Sequence, residues 1–310
     1  MTVPAERHTL GAVVTTDGRS RVRLPDGRRL DVWQGGDPHG IPVVFFHGTP
    51  GGRLQAALGD GAASRVGVRL VAFSRPGYGG STDAPTTLTS VGRDAGWVAD
   101  ELGLDAFGVL GVSGGGPYAV ATAAVLPHRV RVVGVVAGVG PLLELDPAVT
   151  DDLAVRAALA GDLDTAIAVQ DAAMTQGAGG ARGSLQASGT DAGSAGRATR
   201  AGTVRVGGFV SPEILEPWTA SGRPGVPSYR GVSRDSLAFT AGWDVELRDV
   251  RAPVHLWYGD RDRTVGLEHG QWLHDHLPTS RLVVREGAGH LATLLAHWTD
   301  VLTDLARSGG

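Results

Sequence analysis

The segment Gly111-Val112-Ser113-Gly114-Gly115 sets one hydroxyl among residues that have no side chain or a small one. An apolar run, Phe107 to Val112, leads into it, and an alanine-rich stretch beginning at Pro117 follows. That order predicts a strand, a tight turn with Ser113 at its apex, and a helix. Glycines at 111, 114 and 115 suit such a turn because neighbouring chain passes close by. A serine there stands free at the start of a helix, whose unpaired amides face any anion that forms. The chemistry this suggests is nucleophilic attack on a carbonyl, with the oxygen turning into a transient oxyanion.

A serine hydroxyl attacks poorly unless a base takes its proton. Of the ten histidines, His290 is the candidate base, because it sits in a glycine-rich loop after a late strand-like run. His255 falls within a strand pattern, and His269, His274, His276 and His297 fall in helical ones. His47 lies beside the site but is expected to brace its loop rather than carry a proton. The base needs a carboxylate to hold its tautomer and support its charged form. Asp260 and Asp262 both closely follow an apolar run. Asp262 is preferred, since three residues beyond Gly259 leave it room to turn, with Asp260 as the alternative acid or as a brace of the loop through backbone hydrogen bonds; the sequence alone does not settle the choice. Donors for the oxyanion are expected from the backbone N–H of Gly114 and that of Thr49, in the loop His47-Gly48-Thr49-Pro50.

Asp262 lies 149 positions after Ser113, and His290 another 28 beyond it, so a sheet must gather them. Ile41–Phe46, Val68–Phe73, Phe107–Val112, Val130–Val136, Pro253–Tyr258 and Arg281–Val284 read as strands. Most are almost continuously apolar, as strands covered on both faces must be. Helical patterns fall between them near 53–65, 89–102, 117–126 and 267–277, with a closing helix over 291–306. This alternation predicts an α/β fold, a mostly parallel sheet with helices on both faces. Pro25-Asp26-Gly27 predicts a hairpin between runs 21–24 and 28–33. From 142 to about 239 the rhythm stops, and helical patterns occur at 147–160 and 163–174. Between Gly177 and Gly202 lie 26 residues with 8 glycines, expected to form a mobile loop because little apolar surface offsets the entropy of ordering it.

The order Ser113, Asp262, His290, together with the His47-Gly48 loop and the alternating strands, resembles an α/β-hydrolase with a helical cap. The resemblance covers about 21–140 and 240–308. It implies a first part of the core over 1–140, a cap over 141–240 and a second part of the core over 241–310. It also implies Ser113 as nucleophile, Asp262 as acid, His290 as base, and Thr49 with Gly114 as oxyanion-hole residues, with His47, Gly48 and Asp260 in support. Ser74-Arg75-Pro76-Gly77 resembles the family's arginine-glycine loop, with Ser74 where an aspartate is common, which implies altered bracing of that loop. His47-Gly48-Thr49-Pro50-Gly51 is also similar to the early motif of proline iminopeptidases. Their nucleophile motif usually holds a tryptophan where this chain has glycine. Asp151, Asp152, Glu213 and Glu216 could be set against a substrate amine, but helix surfaces and caps explain them more simply. Trp218 and Tyr229 are read as packing residues of the cap.

At 310 residues, with a net charge of −4 and no cysteine, the chain has a core of ordinary size and carries neither a polybasic signature nor thiol chemistry. Nucleic acid and membrane are not expected partners. No metal-ligand spacing or Gly-x-Gly-x-x-Gly turn occurs, so neither metal nor cofactor is expected. A carboxylate nucleophile, as in dehalogenases and epoxide hydrolases, is disfavoured by Ser113. No secretory signal is evident at the start, and cytoplasmic placement is the default. The expectation is a serine hydrolase acting on a small-molecule ester, thioester, lactone or activated amide, as a monomer or homodimer. The competing readings are an aminopeptidase, a biosynthetic acyltransferase or cyclase, and a catalytically silent scaffold.

Overall fold

The computed structural model describes residues 18–180, 230–240 and 242–309. Eight strands form one sheet in the order β1-β2-β4-β3-β5-β6-β7-β8. They are β1 (Arg19–Arg23), β2 (Arg29–Gly36), β3 (Ile41–Phe46), β4 (Val68–Phe73), β5 (Phe107–Val112), β6 (Val130–Val136), β7 (Val254–Gly259) and β8 (Ser280–Arg285). β1 and β2 pair antiparallel, as do β2 and β4, and every pairing from β4 to β8 is parallel.

The apolar runs are continuous because both faces of the central strands are covered. Along β3, Val44 and Phe46 enter one core while Val43 and Phe45 enter the other; along β5 the two sets are Phe107 with Val109 and Leu110 with Val112. Side chains alternate with a period of two, so each strand feeds two layers. The first layer packs under the helices Leu88–Glu101, Gly116–Val125 and Leu267–His276, and the second under Asp60–Val66 and Trp298–Gly309.

Several helices differ from the sequence expectation in their limits. The segment expected as one helix over 53–65 is a 3-10 turn, Arg53–Gly59, followed by the helix Asp60–Val66. The closing helix is broken into Ala292–Leu295 and Trp298–Gly309. The break lets the Trp298 ring pack on Phe45, with centroids 5.6 Å apart, and against Gly59, where no side chain intervenes. The hairpin turn lies where Pro25-Asp26-Gly27 placed it, with Gly27 at φ 88°. Arg28 ties it to the sheet's helical layer through two bonds to the buried Asp94, at 2.6 and 2.8 Å.

Between β6 and β7 the described elements are helical: Leu142–Leu145, a 3-10 turn at Pro147–Asp151, Leu153–Leu159, Leu163–Gly180, Arg230–Thr240 and a 3-10 turn at Leu247–Asp249. Asp152 caps the second of these helices, accepting the N–H groups of Ala154 and Val155. Residues 177–180 of the glycine-rich stretch form the end of the Leu163–Gly180 helix. The rest of that stretch, with Glu213, Glu216, Trp218 and Tyr229, lies outside the described residues. Among the described residues no helix is long and apolar enough to cross a membrane.

Candidate active site

The loops after β3, β4, β5, β6, β7 and β8 all leave the carboxyl edge of the parallel sheet, where open α/β sheets gather functional groups. Ser113 follows β5, a central strand, and has φ 53°, a left-handed conformation that a serine adopts only at a cost of order 1–3 kcal/mol. The turn is held because the chain is too close for alternatives. A Cβ at Gly111 would collide with the Gly115 carbonyl oxygen, and one at Gly115 with the carbonyl oxygen of Phe46 in β3. The Val139 N–H donates to the Ser113 carbonyl (3.2 Å), joining the loop after β6 to the apex.

Asp262 and His290 come from the loops after β7 and β8. His290 Nδ1 donates to Asp262 Oδ2 at 2.6 Å. The other carboxylate oxygen, Oδ1, accepts the N–H groups of Thr264 (2.8 Å) and Val265 (3.0 Å). Burial pushes the Asp262 carboxyl up, but the hydrogen bond and charge of His290, with those two amides, outweigh it and hold the group below its ordinary value. Asp260 has a different task, accepting Gly287 N–H at 2.6 Å. With Arg261 N–H on the Ala288 carbonyl (3.1 Å), it fastens the two loops together. A bond from Nδ1 to a carboxylate leaves the His290 Nε2 lone pair as the basic one, which is the tautomer a general base requires.

On the other side of Ser113 lies the loop His47-Gly48-Thr49-Pro50. A Cβ at Gly48 would stand 3.5 Å from Ser113 Cβ, and one at Gly114 would strike Thr49 Oγ1, so the two oxyanion candidates sit against each other. The Gly48 N–H is engaged by Gln55 Oε1 at 2.8 Å. His47 is fully buried; its Nδ1–H donates to the Gly48 carbonyl (2.8 Å), and its Nε2 accepts the Arg75 N–H (3.2 Å). Burial and the nearby Arg75 charge push its pKa well below the ordinary value, so the ring stays neutral and holds the loop. The Thr49–Pro50 peptide bond is cis.

Ser74 contributes to the neighbouring loop through its hydroxyl, which accepts Arg53 N–H at 3.0 Å. The bracing carboxylate comes instead from β2, where Asp31 accepts the Gly80 N–H (2.8 Å) and pairs with Arg53 (2.6 Å). Sequence reasoning did not single out Asp31, nor Asp235 on the Arg230–Thr240 helix. Asp235 is fully buried and meets Arg75, Tyr78, Tyr118 and Thr49. Nothing in the sequence near Arg75 points to it, because its carboxylate lies 160 positions away on a different element. Phe239, one turn further along that helix, lies against Tyr118 with centroids 5.9 Å apart and faces Gly114. Among the described residues no group of three or more His, Asp or Glu side chains is arranged to hold a metal ion.

Comparison with known proteins agrees with this architecture. A curated pimeloyl-[acyl-carrier protein] methyl ester esterase from Aromatoleum aromaticum is 38% identical over 74 residues, 24% of this chain and 29% of that protein, so the match spans under a third of the relative. Among solved structures, an α/β-hydrolase-fold protein from Nakamurella multipartita superposes with a TM-score of 0.60 at 23% identity, covering 94% of this chain and all of the other, 100%. An esterase from Exiguobacterium antarcticum gives 0.61 at 19% identity, over 93% of this chain and 99% of its own. The pattern that describes the α/β hydrolase fold matches residues 41–296, from the first parallel strand to beyond His290, and the chain therefore belongs to the α/β-hydrolase family.

Proposed function

We propose that this protein is a serine hydrolase that cleaves a small carboxylic ester through an acyl-enzyme. The observation that carries the reading is the His290–Asp262 pair, bonded at 2.6 Å, at the same sheet edge as a serine held at φ 53°. In the first step Ser113 Oγ attacks the ester carbonyl while His290 Nε2 accepts its proton. The carbonyl π electrons move to oxygen, and the backbone N–H groups of Thr49 and Gly114 receive the oxyanion. Collapse expels the alkoxide, which takes the proton from His290 and leaves as an alcohol. Water, deprotonated by the same imidazole, then attacks the acyl-enzyme, and Ser113 is restored as the acid departs.

The Phe239 ring beside Gly114 supplies apolar surface for the acyl chain. The name of the Aromatoleum relative, a methyl ester esterase, favours an ester with a small alcohol over an amide. The test is hydrolysis of a panel of p-nitrophenyl esters from acetate to octanoate, alongside proline p-nitroanilide, by wild type and Ser113→Ala. Turnover of short or medium esters that Ser113→Ala abolishes supports the reading. Preferential cleavage of the anilide, or ester turnover that survives Ser113→Ala, contradicts it.

A further inference from the structure

The Asp235 carboxylate is 1% exposed and lies on the Arg230–Thr240 helix, far in sequence from the loops it touches. Its Oδ2 accepts the Thr49 hydroxyl (2.5 Å), Arg75 Nη2 (2.5 Å) and the Tyr78 hydroxyl (2.6 Å); its Oδ1 accepts Arg75 Nε (3.2 Å) and the Tyr118 hydroxyl (2.7 Å). Arg75 carries the constraint onward, donating to the carbonyl oxygens of His47 (2.6 Å) and Gly48 (3.2 Å). Its guanidinium also lies over the Tyr118 ring at 4.7 Å. The branches end on the loop before Thr49, on Thr49 itself, on Tyr118, in the helix that opens just after Ser113, and on Tyr78, in the loop after β4.

A buried ion pair is a weak source of net stability, because desolvation cancels most of the attraction and an apolar pair of similar volume often does as well. What such a fully bonded carboxylate supplies is fixed geometry. The Thr49 amide shares its peptide plane with the Gly48 carbonyl, which accepts His47 Nδ1–H (2.8 Å) and Arg75 Nη2–H (3.2 Å), so those two donors set its direction.

We propose that Asp235 is a positioning residue for the oxyanion hole: it holds the Thr49 hydroxyl directly and the His47 and Gly48 carbonyls through Arg75, and so aims the Thr49 amide at the reacting carbonyl. This rests on the serine-hydrolase reading above. It also couples the site to the helical segment between β6 and β7, because the oxyanion loop is fully held only when the Arg230–Thr240 helix is seated.

The probe is an alkyl trifluoromethyl ketone. Ser113 Oγ bonds to its carbonyl carbon, the π pair becomes an oxyanion, and the serine proton passes to His290. The matching trifluoromethyl alcohol fills the same space and forms no oxyanion. In the wild type, the ketone inhibits far more tightly than the alcohol. Asp235→Asn weakens ketone inhibition about 30-fold or more, leaves the alcohol within about threefold, and lowers kcat on p-nitrophenyl acetate with little change in KM. Thr49→Val keeps the backbone amide and the Asp235 carboxylate but removes the hydroxyl that donates to Asp235 and accepts from Arg75; it shows the same pattern, and Thr49→Ser restores most of the loss. The double variant is no worse than the more impaired single one, as expected of one shared pathway. If Asp235→Asn does not fold, the Thr49 pair decides alone. A wild-type ketone-to-alcohol ratio near one overturns the hydrolase reading and this inference with it. A high wild-type ratio that Thr49→Val leaves unchanged, or that falls equally in Thr49→Val and Thr49→Ser, overturns the inference alone.

Discussion

Replacing Asp262 by Asn separates a positioned base from a histidine that merely happens to be bonded. The two oxygens of Asp262 have distinct duties: Oδ1 takes the N–H groups of Thr264 and Val265, and Oδ2 takes His290 Nδ1–H. An asparagine that keeps its oxygen on the two amides presents an N–H to Nδ1. The imidazole then answers with a lone pair at Nδ1 and carries its hydrogen on Nε2, where it cannot accept a proton from Ser113. The opposite amide orientation restores the useful tautomer but leaves two backbone donors facing an NH2 group. At about 1–3 kcal/mol for each lost partner, that orientation is disfavoured by roughly 2–6 kcal/mol, so the active tautomer is reduced about 30-fold to 10⁴-fold. The upper end agrees with the loss of about 10⁴ in kcat known for the same change in a serine protease triad. The assay is kcat/KM on p-nitrophenyl acetate, with a melting curve to show that Asp262→Asn is folded. A loss smaller than tenfold in a folded variant refutes the reasoning.

Two further outcomes follow from the same geometry. Gly115→Ala puts a Cβ into the Phe46 carbonyl oxygen and 2.8 Å from that of His47, both of them backbone that must shift. The expected cost is about 1–3 kcal/mol, a melting temperature lower by roughly 2–5 °C, and an unchanged melting curve contradicts the packing described. For His47, the folded pKa lies well below 6.5, the ordinary value. The unfolded chain therefore binds a proton that the folded chain does not, so stability is full above 6.5 and declines as the pH falls below it. The slope from this group reaches about 1.4 kcal/mol per pH unit, and chemical denaturation of His47→Gln between pH 7 and about 5 shows a correspondingly shallower decline. Equal slopes in the two proteins contradict a neutral, loop-holding His47.

The sequence made the sheet legible through its interior strands. Ile41–Phe46 and Phe107–Val112 are apolar without alternation because both of their faces are covered, and no other local structure explains runs of that length followed by glycine-rich loops. Ser113 was legible because the glycines around it are required by close backbone passage. The choice between Asp260 and Asp262 was less so. Both follow β7, and what separates them is which backbone amides each carboxylate meets, namely Gly287 in one case and Thr264 with Val265 in the other. Helix limits drifted where tertiary packing overrides local pattern, as at the turn that seats Trp298 on Phe45. Asp235 was least legible. Its helix buries Ser233, Arg234 and Asp235 along with Val232, Leu237 and Phe239, so polar side chains interrupt the apolar stripe by which a buried helix face is recognised in sequence.

The proposed mechanism stands or falls with Ser113 as a nucleophile activated by His290. Its most direct measurement is the intact mass of the protein after exposure to a small fluorophosphonate, with the modified residue mapped by peptide sequencing and wild type compared with His290→Ala. The expected result is one phosphonyl group per chain, on Ser113, formed at least about a hundredfold more slowly in His290→Ala. A folded wild-type protein that takes up no label, a label on another residue, or equal labelling in the variant would contradict it.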